Sequence, residues 1–466
     1  MAIASRRLPE KAATIDRLLA KCASKRSKAR ALPQTLRPDR RWRVSCWNPV
    51  MDGPVRIRSG FFAPVFAMLL LSSLPSLAAT YVVDRLTDAN PGGGGEGSNL
   101  AGDLRFAVTH AQTGDAITFS VNGTIGLAAA LPLIDQDISV EGPGANVLTV
   151  HGAGASVFSV GGATVTLSGL TVTGGRSNGG GVFNQGTLTL NDVTIRDNTA
   201  GDPTNGEGIG AGIWNYLGAT LTLNGCTVSG NTAIGNLSYA PSRGGGVENY
   251  GTLTLNNSTV SGNSAVQGTG GGISNSLGVS TLTLNNATVS GNSSPGTSGS
   301  GGIDNAGTLI AGNSIVAGNS DGDLFGNVTS EGYNLFGTTN GSGFDPTDLL
   351  GVDPLLGPLQ DNGGPTATMA PLSGSPAIDR IPGTPGVNFP ATDQRGVVRP
   401  QGSLADSGAV EAEQVLPARR LLSQPLGKLL ARDSLGREPV IPLDGSGRVR
   451  RVVVRYPPVV VPPCNP

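Results

Sequence analysis

Residues 244–263 read GGGVENYGTLTLNNSTVSGN, and the order of apolar, hydroxyl and turn residues in this stretch decides the fold. Thr252-Leu253-Thr254-Leu255 alternates strictly, so the two leucines share one face of a strand and the threonines the other. Asn256 and Asn257 mark a corner, because Asn tolerates left-handed backbone and hydrogen-bonds its own chain. Thr259-Val260-Ser261 makes a further strand, Gly262-Asn263 a further corner, and Gly246 to Asn249 the strand that opens the unit. Three strands and three corners close one triangular turn of a coil. One turn alone has nothing to bury its valine and leucines against, so the unit is stable only when stacked on copies of itself.

The copies are present. GGGVFNQGTLTLNDVTIRDN starts at Gly179 and GAGIWNYLGATLTLNGCTVSGN at Gly210. GGGISNSLGVSTLTLNNATVSGN starts at Gly270, SGGIDNAGTLIAGNSIVAGN at Ser300, and a degenerate GGATVTLSGLTVTGG precedes them at Gly161. A period of about 30 residues built of short Thr/Val/Leu strands predicts an all-β parallel β-helix. Stacking aligns equivalent residues into columns. Val182, Ile213, Val247, Ile273 and Ile303 form one apolar column, and Leu188, Leu221, Leu253, Leu282 and Leu309 another. Leu190, Leu223, Leu255 and Leu284 form a third, and Ile195, Val228, Val260, Val289 and Val316 a fourth. Two polar columns are expected as structural ladders rather than ligand sites. They are Asn184, Asn215, Asn249, Asn275 and Asn305, then Asn198, Asn231, Asn263, Asn292 and Asn319, since stacked amides bond from coil to coil.

Composition narrows the function classes. The 466 residues carry a net charge of −1, which excludes nucleic acid as a general partner. Four cysteines are present; Cys226 stands where other copies have Val193, Ser258 and Ala287, and reads as a small stacked residue. Cys226 and Cys464 are too far apart in sequence to read as a disulfide framework. Asp321-Gly322-Asp323 is the best local oxygen cluster for a cation, and reads first as an ordinary turn. The two histidines, His110 and His151, have no zinc spacing. No metal and no cofactor is expected.

The organisation along the chain is as follows. Residues 1–50 hold 13 Lys/Arg against three acids. Met51 then opens a second pattern: Arg56 and Arg58, an apolar run from Phe61 to Leu71, and small residues at Ser76 to Ala79. That is the layout of a secretory signal peptide over 51–79, too short for a membrane span. Residues 1–50 then lie upstream of the mature protein; a basic extension before a membrane anchor is the alternative. Residues 80–160 are read as amino-terminal capping coils, 161–321 as the repeats, 322–413 as a Pro/Gly/Asp-rich carboxy-terminal part, and 414–466 as an Arg-rich flexible tail.

Three stretches carry a family resemblance. TYVVDRLTDAN with LAGDLRFAVTHAQTGDAITF, over Thr80 to Phe119, resembles the CSLREA segment of secreted β-helix proteins, without its cysteines. The GGGV-x-N-x-GTLTLNN-x-TVSGN units resemble the repeats of polymorphic outer-membrane proteins. GYNLFG, LLGVDPLLGPLQDNGGPTATMAPLSGSPAID, TDQRGVVRP and DSGAVE, within Gly332 to Glu411, are similar to the choice-of-anchor Q domain. The resemblance implies a right-handed single-stranded parallel β-helix, the pectin-lyase-like solenoid, displayed outside bacterial cells or at the outer membrane. It implies no particular reaction.

Glycoside hydrolysis needs two carboxylates about 5–10 Å apart. Glu248 and Asp304 share an outward column with Ser274 between them, and read as solvated surface acids. Asp353, Asp361, Asp379, Asp393, Asp406 and Glu411 read as turn caps and partners of Arg395 and Arg399. A non-catalytic adhesion or envelope-structural role is therefore expected, with a polysaccharide lyase or hydrolase as the alternative. No catalytic residue is assigned. In each opening strand the residue after the inward Val or Ile points outward. This sets Phe183, Trp214 and Glu248 in one column, and Tyr216 and Tyr250 in the next. These five are the candidate ligand site, for an extracellular glycan or a surface protein, beside inserts at 201–209, 234–243 and 294–300. The competing expectation is that the inserts bury the rings as a satellite core. One direct check of the organisation is amino-terminal sequencing of exported protein. It is expected to begin near Ala79 or Thr80; recovery of residues 1–50 would overturn the signal-peptide reading.

Overall fold

Each repeat lays one strand on each of three all-parallel faces. The structure, a computed structural model, describes residues 78–88, 100–202, 206–236, 241–296 and 299–413. The basic segment 1–50, most of the signal segment and the tail from 414 lie outside the described residues. The first face has seven strands, among them Val182–Asn184, Ile213–Asn215, Val247–Asn249, Ile273–Asn275 and Ile303–Asn305. The second has eleven, including Thr187–Asn191, Thr220–Asn224, Thr252–Asn256 and Thr281–Asn285. The third has ten, including Thr194–Arg196, Thr227–Ser229, Thr259–Ser261 and Thr288–Ser290. The chain is a single-stranded parallel β-helix, wound in the right-handed sense that parallel crossovers take.

Register matches the apolar columns residue for residue. Val182 pairs with Ile213, Ile213 with Val247, Val247 with Ile273 and Ile273 with Ile303. The leucine columns of the second face stack equally, and all these side chains lie in one buried cluster. Burying each Leu or Val contributes roughly 1.5–3 kcal/mol. Two features differ from the triangular reading. Short strands Thr199–Ala200, Thr232–Ile234 and Ser264–Val266 stack into a three-stranded side sheet, so the central coils have a fourth wall. The solenoid also outlasts its motif: Leu324–Phe325, Thr329–Gly332 and Leu335–Phe336 continue the three faces past residue 321, and Leu349–Leu350 adds to the third. These strands are legible only by register, because their turns are shortened.

The Asn columns are continuous hydrogen-bonded ladders. Asn184 Nδ2 donates to Asn215 Oδ1 at 2.8 Å, and the links Asn215–Asn249, Asn249–Asn275 and Asn275–Asn305 are each 2.7 Å. The second column runs from Asn198 to Asn319 in the same direction, at 2.9 Å per step. Asp323 ends it, accepting from the Asn319 backbone and side chain and from Thr338 N. That carboxylate is therefore fully engaged as a ladder cap. A third ladder, Asn191, Asn224, Asn256 and Asn285, runs at the end of the second-face strands and donates in the opposite direction.

The stack is closed at both ends and strapped along one side. Helix Leu104–His110, capped by Asp103, lays Leu104, Ala107 and Val108 over the first coils. Arg105 ties this cap to Asp88 at 2.5 Å. At the other end Val328 N and Ser330 N bond residues 342 and 343, and Phe344 packs on Phe336. Residues 366–409 then run back over the outward threonines of the third face. Gln394 takes a bond from Thr259 Oγ1 at 2.6 Å and donates to Thr227 Oγ1 at 2.9 Å, leaving both threonines fully buried. Corner residues Asn257 and Asn313, in left-handed backbone, donate to Thr392 O and Asn388 O, each at 2.9 Å. Arg399 and Glu411 form a completely buried pair at 3.0 Å within this strap, and Arg395 pairs with Asp393 at 2.8 Å. Among the described residues no helix is long and apolar enough to cross a membrane.

The ladder gives a stability prediction. Asn249 is fully buried, and its Oδ1 accepts from Asn215 while its Nδ2 serves Asn275, Gly251 O and Thr281 O. Asn249→Ala strands Asn275 Oδ1 without its donor. It is expected to cost about 1–3 kcal/mol in chemical denaturation; an unchanged midpoint would remove the ladder from the stability account.

Candidate binding site

The site grows from turn lengths on one corner of the coil. Between the opening strand's Asn and the next Thr, successive repeats carry Gln185-Gly186, Tyr216 to Ala219, Tyr250-Gly251, Ser276 to Ser280, and Ala306-Gly307. Long turns thus flank the short turn of the central coil. Only Gly fits at 251, where a Cβ would stand 2.1 Å from Ala219 O. The long turns hold themselves up by Ala219 N to Tyr216 O and Ser280 N to Leu277 O. Their tips are exposed: Leu217 by 57% and Val279 by 77%. They lie two coils apart, a notch about 10 Å wide from the spacing of strands.

Four rings converge beside this notch. Phe183 and Trp214 are register partners with ring centres 4.9 Å apart. Tyr216 meets both edge-on, at 5.9 and 5.3 Å, and Tyr250 meets Trp214 edge-on at 6.0 Å. Edge-to-face contacts at these distances contribute about 0.5–1.5 kcal/mol each beyond burial. Tyr216 is exposed, while Phe183, Trp214 and Tyr250 are half-buried. Three rings are thus partly covered and one is open, an arrangement between the two that the sequence offered. Trp214 Nε1 is buried with no hydrogen-bond acceptor.

Beneath the rings the acids depart from the sequence reading. Glu248 is not a solvated surface acid but completely buried, and Asp304 is half-buried. The column itself is as read, since Glu248 pairs with Ser274 and Ser274 with Asp304. Glu248 lies in register between Trp214 and Ser274, and Tyr250 and Arg243 stand close to its carboxyl. Ser276 Oγ donates to Glu248 Oε1 at 2.5 Å and stands 2.6 Å from Ser274 Oγ, while Glu248 Oε2 has no partner. Burial pushes the Glu248 carboxyl up to about 8, against the opposing hydrogen bonds of Ser276 and Ser274 and the field of Arg243. Burial likewise raises Asp304, against a bond from Thr269. Arg243 donates to Tyr250 Oη at 3.3 Å and lies 3.6 Å from Glu207.

Arg243, Thr269 and Ser276 escaped the sequence reading as site residues. Arg243 sits in an insert, Thr269 directly before the repeat that opens at Gly270, and Ser276 in a turn of variable length. The alternation of turn lengths was the available signal. The Asn184 to Asn305 ladder runs at the edge of the same strands but is spent on its own bonds. Among the described residues no cluster of His, Cys, Asp or Glu is composed to hold a metal ion. Cys226 is buried in the stack, with its thiol pushed up to about 12 by burial.

No known family model matches this chain, and no curated protein matches it. Among solved structures it is similar to the crystal structure of pectate lyase Pel9A. That likeness has 14% identity and a TM-score of 0.38, and covers 74% of this chain and 98% of the other. At this level it assigns no role to any side chain.

Glu248 makes stability depend on pH. An unfolded glutamate ionises near 4.5, whereas the folded one keeps its proton to about 8. Between these values the native state holds more protons, so stability falls as pH rises. Replacing Glu248 by Gln is expected to flatten this fall and to stabilise the protein at pH 8 by about 2–4 kcal/mol. Denaturation of both proteins at pH 5 and pH 8 checks this; equal slopes would mean the carboxyl is solvated.

Proposed function

We propose that the protein is an extracellular or cell-surface display solenoid that binds glycan through the ring cluster on its first face, without cleaving it. The observation that carries this is the array of Phe183, Trp214, Tyr216 and Tyr250 over three successive coils, with Tyr216 open and the exposed turn tips Leu217 and Val279 beside it. Sugar rings present apolar C–H faces that stack on such surfaces and hydroxyls that hydrogen-bond at their rim. Tyr250 Oη and Arg243 supply that rim. Secretion and the choice-of-anchor Q relationship belong to the same proposal, resting on the segment after Met51 and on the motifs within Gly332 to Glu411.

One feature favours a second reading. A buried carboxyl that keeps its proton to about 8 has the character of a general acid. A hydrolase would pair it with a second, ionised carboxylate. Asp304 lies two strands away, about 10 Å by strand spacing, and burial pushes it in the same direction as Glu248 rather than the opposite. Display without cleavage is the better fit.

The test uses the difference in fluorescence between the protein and its Trp214→Phe variant, since Trp42 and Trp47 are the only other tryptophans. Adding neutral and acidic polysaccharides is expected to shift Trp214 emission and protect it from quencher, and Tyr216→Ala is expected to weaken the response at least tenfold. A response lacking for every polysaccharide would sink glycan binding. New reducing or unsaturated ends would instead establish the enzyme reading.

A further inference from the structure

A second cleft, of about 420 Å³, opens between the corner of the second and third faces and the returning strap. Its volume lies in the range of small-molecule sites. Asn285, Asn286 and Glu331 line one side; Tyr333, Val387 and Phe389 line the other. No Lys or Arg is among the lining residues.

On the polar side the ladder ends with an acceptor that the next coil does not serve. The third Asn ladder runs backward, with Asn285 Nδ2 donating to Asn256 Oδ1 at 2.8 Å. The next coil should therefore supply a donor to Asn285 Oδ1. Its register partner there is Gly312, which has no side chain to give. Instead Glu331 reaches over this glycine, with its Oε2 3.3 Å from where a Cβ on Gly312 would stand. Glu331 forms no ion pair among the described residues. Beside them Asn286 is fully buried, and its Oδ1 has no hydrogen-bond partner. Its Nδ2 makes only a long bond of 3.5 Å to Asp406 O. A buried acceptor left unmade costs about 1–3 kcal/mol, so Asn286 marks a corner of the cleft wall where the stack's own hydrogen bonds are incomplete.

The opposite side is apolar. Phe389 is buried and packs with Ile381 and Tyr333, and Val387 projects with 79% exposure. Tyr333 holds left-handed backbone at φ 57°, the corner position that earlier coils fill with Asn286 and Asn313. A bulky residue there is unfavourable locally, and its ring completes this apolar side.

We propose that this cleft binds a primary ammonium group carried on an apolar chain. The ammonium donates to Glu331 and to Asn285 Oδ1 at the ladder's end, and the chain lies against Val387 and Phe389. Its three N–H donors suit the two Glu331 carboxylate oxygens and Asn285 Oδ1, and bonds to a carboxylate are the stronger, charge-assisted kind. A free alkylamine and a lysine side chain present the same chemistry.

Calorimetric titration of the full chain tests this with n-pentylamine at neutral pH. Pentyltrimethylammonium, which keeps the charge but lacks N–H, and 1-pentanol, which lacks the charge, serve as comparisons. Saturable binding of the amine is expected, at least tenfold tighter than either comparison. Glu331→Gln, at an exposed position, is expected to weaken the amine at least tenfold, and Asn285→Ala several-fold. Nα-acetyl-lysine methylamide binding as tightly as pentylamine would identify a protein lysine as a competent source; weaker binding would restrict the site to free amines. The proposal is overturned by absence of saturable amine binding, by equal affinity for pentanol or pentyltrimethylammonium, or by a folded Glu331→Gln protein that binds as before. If either variant unfolds, the probe series on the unaltered chain decides.

Discussion

Everything in this structure depends on the hydrogen bond made from one coil to the next. Parallel pairing joins equivalent residues of successive turns, so one backbone spacing sets the stacking of every side chain. A single misplaced register would turn each Thr/Leu strand inside out. The Asn ladders guard against this, because an amide finds its partner only when Asn lies over Asn. They also explain how a chain with 4% aromatics stays folded. Small, repetitive side chains pack uniformly, and buried amides satisfy one another down the column.

The candidate site is a local exception to this regularity. Repetition favours identical residues in a column; the outward column instead reads Phe183, Trp214, Glu248, Ser274 and Asp304. Variation is tolerated there because the core does not depend on it. The same coils vary their turn lengths and carry the longest inserts. The buried carboxyl carries a local cost, but the backbone pairing of its strand is intact.

How far the sequence could be read differs by element. The columns of Val182 and Leu188 were legible because period-2 alternation and the repeat agreed on the inward face. The ring cluster was legible for the same reason, as outward neighbours of known inward residues. Glu248 was misread because alternation tells which way a side chain points and not what lies over it. Its surroundings include Arg243, which lies in an insert outside the repeat, and Tyr250 and Ser276, which lie in turns of variable length. The reversed ladder of Asn191, Asn224, Asn256 and Asn285 was hidden, since those residues also serve as ordinary corner formers. The strap was least legible. Gln394 bonds Thr227 across more than 160 positions, and nothing in local pattern encodes such a contact.

The strap has a mechanical consequence. An unbraced solenoid shares load only between neighbours, so tension along its axis opens it one coil at a time. Here one continuous segment is fastened to four successive coils, at Gly225–Thr227, Asn257–Ser261, Asn286–Thr288 and Asn313. Pulling any two of these coils apart must stretch or release the segment that spans them. The stack behaves as a spring with a cable sewn along one side: it can bend away from the strap more easily than it can lengthen beneath it. Under shear, the first face, which carries the rings and, among the described residues, no part of the strap, is the side left free to flex.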